Sequence, residues 1–370
     1  MPMKLTRANM NKTQQLHDLG QSLWLDNITR EMLDDGTLRR YIDEFAVTGL
    51  TSNPTIFDEA LGKTAAYDDG IRDKAKAGKS GEALFMELAL EDLRRAADLF
   101  RPVFDATDGI DGWVSMEVSP LLADDTTKSI AAAKQIHREA RRPNLFVKIP
   151  GTPQGVPAIE ESIFAGVPIN VTLLFSREQY VAAAEAYLRG VERRIAAGLD
   201  PRVASVASLF VSRWDKAVSD QVPVELRNRL GIAIGARTYR AYRQLLASPR
   251  WRKLATAGAR PQRLLWASTG TKYPKAPDTL YIEALAAPDT IDTIPEKTLR
   301  AFAEHGEIKG MMAEDGGDAE TVLARFTQSG IDVDALAQAL QRDGAQAFVK
   351  SWKELLQRIA DKSEALVHAS

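Results

Sequence analysis

Lys148 is the first residue of chemical interest, because it lies inside an apolar segment. Residues 145–151 read LFVKIPG, and the neighbours of Lys148 along the chain are Val147 and Ile149. Lysine is rarely fully buried without an acidic partner. A lysine amine attacks a carbonyl only in its neutral form, and burial among apolar side chains favours that form. Lys148 is therefore a candidate nucleophile that forms a Schiff base with a carbonyl substrate.

Polar residues end several other apolar segments. In an α/β barrel, the carboxyl ends of the strands meet at the face that carries the chemistry. Glu117 ends the segment before that of Lys148, and adjacent strands lie about 4.8 Å apart, so the two charges can approach each other. A nearby carboxylate stabilises the charged ammonium and so works against the neutral amine. Either burial outweighs this effect, or Glu117 serves mainly to carry protons. The candidates, in chain order, are Asp26, Thr51, Asn53, Glu117, Lys148, Asn170, Thr172, Ser208, Arg213, Ser268 and Lys272.

Short apolar segments that alternate with amphipathic ones must position these residues. Nearly continuous apolar strands separated by helices are typical of a parallel sheet covered by helices. Eight such units favour a closed barrel over an open sheet. The predicted fold is therefore an α/β protein, a (β/α)8 TIM barrel with additional helices and a helical C-terminal tail. The predicted strands are residues 22–27, 46–51, 112–118, 145–150, 167–175, 203–212, 263–269 and 289–294.

Helical periodicity predicts long helices between the strands, at residues 81–104, 126–142 and 176–198. Asp125 or Thr126 is a candidate N-cap, and Ser176 with Gln179 has the spacing of a capping box. Uneven strand spacing predicts helical insertions near 57–104 and 213–262. The tail is predicted to be helical over 297–370, with separate helices at 333–343 and 345–367. No linker is visible, so we expect residues 1–370 to form a single domain.

Composition excludes several functional classes. With a net charge of −2, the chain lacks the overall positive charge that would attract nucleic acid or an anionic membrane. The chain has no cysteine, which excludes disulfides and thiolate-bound zinc or iron–sulfur clusters. Its four histidines are scattered without metal-ligand spacing. The N-terminal residues lack the apolar region of an export signal, and no apolar run is long enough to span a bilayer. We expect a soluble, cytoplasmic protein with no metal site.

Two further motifs are weaker. The segment AGKS at 77–80 ends like a phosphate-binding loop, but Asp73 occupies the upstream glycine position. The segment RTYRAYRQLL at 237–246 places three arginines on one helical face. A solvated helix face explains them better than nucleic-acid binding in a chain of this charge.

Four segments together resemble transaldolase, a family of class I aldol-transfer enzymes. They are TGLTSNPTIF at 48–57, LFVKIPGTPQG at 145–155, INVTLLFSREQY at 169–180 and SLFVSRWD at 208–215. The strand of Lys148 and the NVTLLF strand are the most specific, and the chain is similar to the longer bacterial form from Trp24 to the C-terminal helices. The resemblance implies a (β/α)8 barrel that acts on sugar phosphates without a cofactor, as a monomer or a homodimer.

The resemblance also implies a reaction. Lys148 is expected to form a Schiff base with a ketose phosphate, while Glu117 moves protons through a water molecule also held by Thr172. Asp26 takes the proton of the C4 hydroxyl as the C3–C4 bond breaks. The transferred unit is dihydroxyacetone, from sedoheptulose 7-phosphate to glyceraldehyde 3-phosphate, giving erythrose 4-phosphate and fructose 6-phosphate in the pentose phosphate pathway. The residues implied to bind substrate are Asn53, Thr51, Asn170, Ser208, Phe210, Arg213, Ser268 and Lys272.

One position departs from the family pattern. A second phosphate-binding arginine usually follows the serine of the seventh strand, but here the sequence is ASTGTK, with Gly270 at that place. Lys272 is the candidate replacement, as a point charge without the arginine fork. The similar fructose-6-phosphate aldolases have shorter chains and carry Gln and Tyr where this chain has Glu117 and Phe210, so both positions favour the transferase. A sugar-phosphate-binding barrel without catalysis is the alternative from another class.

Each candidate alone also fits a structural role. A lysine at a strand end can extend its ammonium to solvent. Asp26 and Glu117 could be helix caps or ion-pair partners, and Asn53 before Pro54 could form a turn. The hydroxyls and amides could satisfy buried backbone groups, Phe210 could belong to the core and Arg213 could form an ordinary ion pair. Only their combination at successive strand ends favours an active site.

Overall fold

Eight parallel strands form a closed barrel in the computed structural model, which describes residues 11–368. Residues 1–10, in which the sequence predicts no export signal, lie outside this range. Each strand pairs with the next one along the chain, and β8 pairs with β1, which confirms the predicted barrel. The strands are β1 (Ser22–Leu25), β2 (Val47–Leu50), β3 (Trp113–Glu117), β4 (Leu145–Pro150), β5 (Ile169–Leu174), β6 (Ser205–Phe210), β7 (Arg263–Ala267) and β8 (Ile291–Ile294).

Helices surround the barrel, and every strand is buried along its whole length. This burial explains why the strands read as continuous apolar runs in the sequence. The helices are α1 (Lys12–Asp18), α2 (Arg30–Asp34), α3 (Thr37–Phe45), α4 (Pro54–Lys63), α5 (Asp68–Lys76), α6 (Gly81–Ala106), α7 (Thr126–Ala140), α8 (Gly155–Phe164), α9 (Arg177–Ala196), α10 (Ser212–Val218), α11 (Leu230–Ala247), α12 (Pro249–Thr256), α13 (Leu280–Ala284), α14 (Glu296–His305), α15 (Ala319–Gln328) and α16 (Val333–His368).

The predicted helix starts are confirmed at two caps. The Asp125 carboxylate accepts a hydrogen bond from the Lys128 backbone N–H at 2.9 Å and caps α7. Ser176 Oγ accepts one from the Gln179 N–H at 3.1 Å, and Gln179 Oε1 in turn accepts from the Phe175 N–H at 2.7 Å. These reciprocal bonds satisfy backbone donors that the first turn of α9 leaves without helical partners.

The prediction of separate helices at 333–343 and 345–367 is wrong, because both belong to α16, a continuous helix of 36 residues. The residue between them is Gly344, which normally weakens a helix by about 1 kcal/mol. Here it allows close packing on the barrel. A Cβ at this position would lie 3.0 Å from Leu173 Cδ2 and 3.1 Å from Arg213 Nη1. Tertiary packing therefore outweighs the low helix propensity of glycine.

A buried polar cluster joins strands at the N-terminal end of the barrel. Asp111 accepts hydrogen bonds from Ser22 Oγ, from Trp24 Nε1 at 2.7 Å and from Thr48 Oγ1 at 2.9 Å. Arg263 Nη1 lies 3.8 Å from the same carboxylate. One side chain thus links β1, β2 and β7 at the end opposite the candidate residues.

Asp111→Ala should lower the free energy of unfolding by about 3 kcal/mol or more, because it leaves the Arg263 charge and several donors buried without their partner. The midpoint of urea denaturation measures the change. Asp105→Ala is the control, since Asp105 forms only an exposed i,i+4 ion pair with Arg101 and should change stability by about 0.5 kcal/mol or less. Equal effects of the two substitutions would contradict the structural role of Asp111.

Candidate active site

Lys148 and Glu117 form a buried ion pair inside the barrel. The register pairs Glu117 with Lys148 and Lys148 with Asn170, so the three side chains occupy adjacent positions on β3, β4 and β5. Lys148 Nζ lies 3.3 Å from Glu117 Oε2, with 7% and 4% of the two side chains exposed. Nζ also donates a hydrogen bond to the Ser52 carbonyl at 2.9 Å. The predicted approach of the two charges is confirmed, and Lys148 does not extend to solvent.

Burial changes the pKa of the Glu117 carboxyl. Loss of solvent raises the pKa of Glu117, and the nearby charge of Lys148 opposes that rise only in part. Among residues 11–368, no donor forms a hydrogen bond of ordinary geometry with either Glu117 oxygen, and the Thr172 hydroxyl is likewise without a partner. Thr172 lies on the strand next to β4, opposite Pro150. Both groups therefore have free hydrogen-bonding capacity close to the amine.

Asp26 lies just beyond β1 and is partly exposed to the same cavity. Loss of solvent raises its pKa to about 6, while the charge of Lys148 and a hydrogen bond from Thr51 oppose the rise. The distance from Thr51 Oγ1 to Asp26 Oδ1 is 3.2 Å, and Thr293 Oγ1 lies 2.7 Å from Thr51 Oγ1. A hydroxyl has a single hydrogen, so Thr293 donates to Thr51, which donates to Asp26. This relay orients a carboxylate that is ionised at neutral pH and can accept a proton.

Asn53 caps α4 while facing the cavity. Its Oδ1 accepts a hydrogen bond from the Ile56 N–H at 3.1 Å, and Pro54 occupies the first helical position. The bond fixes the side-chain oxygen and leaves the amide nitrogen as a donor for a ligand. The structural role considered for this residue is therefore present, and it is compatible with the predicted binding role.

Asn170 lies behind the cavity wall. Its Oδ1 accepts a hydrogen bond from Ser208 Oγ at 2.7 Å, and its amide nitrogen donates to Ser115 Oγ at 3.1 Å. Ser208 itself lines the cavity. The contacts in the structure make Asn170 the residue that orients Ser208, and its direct contact with substrate stays a prediction.

Two cations, Arg213 and Lys272, also line the cavity. The guanidinium carbon of Arg213 is 5.3 Å from the centre of the Phe210 ring and 5.9 Å from that of Phe348. No carboxylate of residues 11–368 lies within ion-pair distance of Arg213 or Lys272. Ser268 lies beside them, with its hydroxyl 3.0 Å from Ser212 Oγ. Unpaired cations beside hydroxyl donors form an environment suited to a phosphate group.

Lys272 lies next to the position that departs from the family pattern. A Cβ built on Gly270 would be 3.9 Å from Lys272 Nζ and 3.1 Å from Pro295 Cγ. The ammonium therefore occupies space beside residue 270, where the resemblance leads one to expect an arginine. This placement is consistent with a lysine that takes over the charge of that arginine.

A single cavity of about 110 Å³ brings the Asp26 carboxylate, the Lys148 amine and the two cations together. Ten of the predicted residues line it, and Glu117 and Asn170 lie directly behind its wall. The lining residues that were predicted are Asp26, Thr51, Asn53, Lys148, Thr172, Ser208, Phe210, Arg213, Ser268 and Lys272.

The sequence prediction did not include five further residues that line the cavity: Ala267, Gly270, Thr293, Pro295 and Phe348. Thr293 and Pro295 could have been found, because they end the weakest predicted strand in the same way as the other polar strand ends. Phe348 had no such signal. It reaches the site from α16, and only the tertiary contact of that helix with the barrel brings it there.

The family of the chain follows from comparison with known sequences. The sequence model described as Transaldolase/Fructose-6-phosphate aldolase matches residues 23–359. The chain belongs to this family. It is 45% identical to a protein named transaldolase from Thermobifida fusca, over 95% of this chain and 98% of that protein. A transaldolase of Thiobacillus denitrificans is 43% identical over 95% of this chain and its own full length. A protein named transaldolase 2 from Nostoc punctiforme is 38% identical over 96% and 98%.

These findings confirm the predicted family, and the names of the relatives agree with the predicted enzyme class, a transferase of the transaldolase type. The arginines of α11, considered above for nucleic-acid binding, form ion pairs within the protein. Arg237 and Arg240 pair with Glu320, and Arg243 pairs with Asp289, so their charges are neutralised. Within residues 11–368, each helix is too short or too polar to cross a lipid bilayer.

Gln341→Leu should loosen the attachment of α16 to the mouth of the barrel. The Gln341 amide nitrogen donates to the Gly151 carbonyl at 3.0 Å and to the Leu173 carbonyl at 2.9 Å, and the substitution leaves both acceptors without this donor. Hydrogen–deuterium exchange of α16 should become faster around residue 341. The exposed Gln346→Leu is the matched control, and equal exchange in wild type and Gln341→Leu would refute the attachment.

Proposed function

We propose that the protein is a transaldolase that transfers a dihydroxyacetone unit between sugar phosphates through a Schiff base on Lys148. The observation that carries the proposal is the buried Lys148–Glu117 pair, whose lysine lines a cavity together with Asp26 and Arg213. A nucleophile, a proton carrier, a base and a phosphate site are the groups that this reaction requires. The donor proposed is sedoheptulose 7-phosphate and the acceptor glyceraldehyde 3-phosphate, in the pentose phosphate pathway.

The first half of the reaction builds the Schiff base. The proton of Lys148 passes to Glu117, and the neutral amine attacks the C2 carbonyl of the ketose phosphate. Glu117 then returns a proton to the C2 hydroxyl, which leaves as water and gives the iminium. A water molecule held between Glu117 and Thr172 would carry these protons, and the free hydrogen-bonding capacity of both groups supports this step. Arg213, Ser268 and Lys272 bind the phosphate.

The second half breaks and remakes a carbon–carbon bond. Asp26 takes the proton of the C4 hydroxyl, the C3–C4 electrons move into the iminium, and the aldose phosphate leaves. The resulting enamine stays attached to Lys148, with Asn53 and Ser208 as proposed partners of its hydroxyls. The enamine then attacks the aldehyde of the acceptor, and Asp26 returns its proton to the new C4 oxygen. The raised pKa of Asp26, about 6, suits a group that must both accept and return a proton near neutral pH.

Borohydride reduction should trap the covalent intermediate on Lys148. Wild type is incubated with fructose 6-phosphate and borohydride, and mass spectrometry of the digest locates the adduct. Lys148→Ala should form no adduct and lose transfer activity by a factor of about a thousand or more, because Lys272, the other lysine that lines the cavity, is exposed and has no adjacent carboxylate to take its proton. Lys272→Ala is the matched control, since it weakens binding but keeps the nucleophile. An adduct on a different lysine, or none in wild type, would refute the mechanism.

The same assay separates transfer from simple cleavage. Without an acceptor aldose, a transferase holds the enamine and releases little free dihydroxyacetone, whereas an aldolase releases it at the rate of turnover. Glu117 and Phe210 favour the transferase, because the similar aldolases carry Gln and Tyr there. Rapid release of dihydroxyacetone without acceptor would favour the aldolase. Binding of sugar phosphate without an adduct would favour a barrel without catalysis.

Transfer activity should fall as the pH drops through about 6, because Asp26 acts as a base only when it is ionised. Thr51→Val removes a hydrogen bond that stabilises the ionised form, so the pKa of Asp26 rises and the acidic limb should move to higher pH. The pH profile of kcat/KM measures the shift. Thr55→Val is the control, because its hydroxyl bonds to Ser351 instead, and an unchanged limb in Thr51→Val would contradict the role of Asp26.

A further inference from the structure

Asp292 is a fully buried carboxyl that the proposed reaction does not use. It lies on β8, paired with Leu23 of β1 and Trp266 of β7. Its neighbour Thr293 lines the cavity, so Asp292 points to the opposite side of β8. No Lys, Arg or His of residues 11–368 lies within ion-pair distance of it. A buried carboxylate without a counter-ion is costly, and the neutral acid avoids that cost.

The hydrogen bonds around Asp292 fit a neutral acid. Thr269 Oγ1 lies 2.8 Å from Asp292 Oδ1 and 3.2 Å from the Thr293 carbonyl. If Asp292 were ionised, both oxygens would be acceptors, and the single hydrogen of the Thr269 hydroxyl could serve only one of them well. If Asp292 is protonated at Oδ1, it donates to Thr269, which donates onward to the Thr293 carbonyl. The neutral form supplies one hydrogen for each of the two contacts, and it spares Asp292 Oδ2, which has no hydrogen-bond partner among the described residues, from carrying a buried negative charge.

The charges near Asp292 act in the same direction. Asp26, just beyond β1, is the charged residue that acts on the carboxyl of Asp292. Thr269, in the loop after β7, is uncharged. Arg263 of β7 and Asp111 lie at the opposite end of the barrel, in the polar cluster described above. Burial raises the pKa of Asp292 to about 8; the hydrogen bond from Thr269 opposes this rise, and the negative charge of Asp26 adds to it.

Thr269 belongs to the loop between β7 and α13, which carries Ser268 and Lys272. Ser268 has a φ of +56°, a left-handed conformation that a non-glycine residue adopts only when its surroundings hold it there. Thr269, the residue that follows Ser268, bonds to Asp292 and to the Thr293 carbonyl on β8. Ser268 is held from one side by Ser212, whose N–H donates to the Ser268 carbonyl at 3.0 Å, while the bonds of Thr269 hold the loop on the side of β8.

We propose that Asp292, as a neutral acid, is a positioning residue that anchors the β7–α13 loop to β8 and so holds Ser268 and Lys272 for a phosphate group. Loss of the anchor weakens phosphate binding, and ionisation of Asp292 has the same effect. The inference rests on the proposed function in one respect: the phosphate group is that of a sugar substrate. The anchor itself is tested with inorganic phosphate.

Calorimetric titration of the full chain with inorganic phosphate at pH 7 tests the anchor. Asp292→Val and Thr269→Val should each weaken binding about fivefold, the scale of one hydrogen bond. Asp292→Asn keeps a donor toward Thr269 and should stay within about twofold of wild type. Thr238→Val is the matched control, because Thr238 is equally buried but bonds only within its own helix. Wild-type affinity in Thr269→Val would overturn the proposal, even if Asp292→Val fails to fold.

The pH dependence separates a neutral anchor from a merely structural residue. Between pH 7 and 9 wild-type Asp292 becomes ionised, whereas Asp292→Asn cannot. The affinity of wild type for phosphate, relative to that of Asp292→Asn, should therefore fall several-fold over this range, while the titrations of other groups cancel in the ratio. A ratio that does not change with pH would overturn the neutral form.

Trapping with borohydride keeps this proposal distinct from the proposed function. If wild type forms no adduct with fructose 6-phosphate, the proposed function fails, but the phosphate titrations still decide the anchor. If the adduct forms, Asp292→Val should raise KM for glyceraldehyde 3-phosphate about fivefold and change KM for unphosphorylated glyceraldehyde little. Equal changes in the two KM values would overturn the link to phosphate.

Discussion

The buried contact between Lys148 and Glu117 is the interaction on which the rest of the site depends. Removing an ammonium and a carboxylate from water costs several kcal/mol for each, and only close geometry recovers that cost. The barrel supplies the geometry through its register, since Glu117 and Lys148 are paired residues on adjacent strands. The Ser52 carbonyl accepts a further hydrogen bond from the ammonium. A lysine among apolar residues is thus held in place beside an acceptor for its proton.

The C-terminal helix completes this arrangement from outside the barrel. Gln341 bonds to the carbonyl of Leu173, a residue with a φ of +57° that directly follows Thr172. Left-handed backbone at a non-glycine residue is costly and persists where surrounding contacts fix it. The same helix places Phe348 near Arg213. The distant end of the chain therefore supports two strand ends of the site, and the site depends on the packing of α16.

Periodicity and strand-end chemistry predicted most of the fold and site, and their failures have physical reasons. The eight strands were predictable because burial on both sides makes them continuously apolar. Gly344 misled the prediction of the tail, because the tight packing that favours glycine there is a tertiary contact. Phe348 was invisible for the same reason. Asp292 was hidden differently: it lies in a predicted strand but faces away from the cavity, so its role depends on which loop packs over it.

The site contains two cations whose charge a bound anion would balance. The charges of Glu117 and Lys148 offset each other, and a protonated Asp292 carries no charge. The three residues therefore place no uncompensated charge in the barrel. Arg213 and Lys272 remain without carboxylate partners among the described residues, and both line the cavity that Asp26 also lines. A phosphate dianion would balance these two cations, while the hydroxyl-bearing carbons would extend toward Lys148 and Asp26. Binding would then neutralise the cations and favour the orientation that brings the carbonyl to Lys148, because the phosphate group is the part of such a ligand that the cations attract.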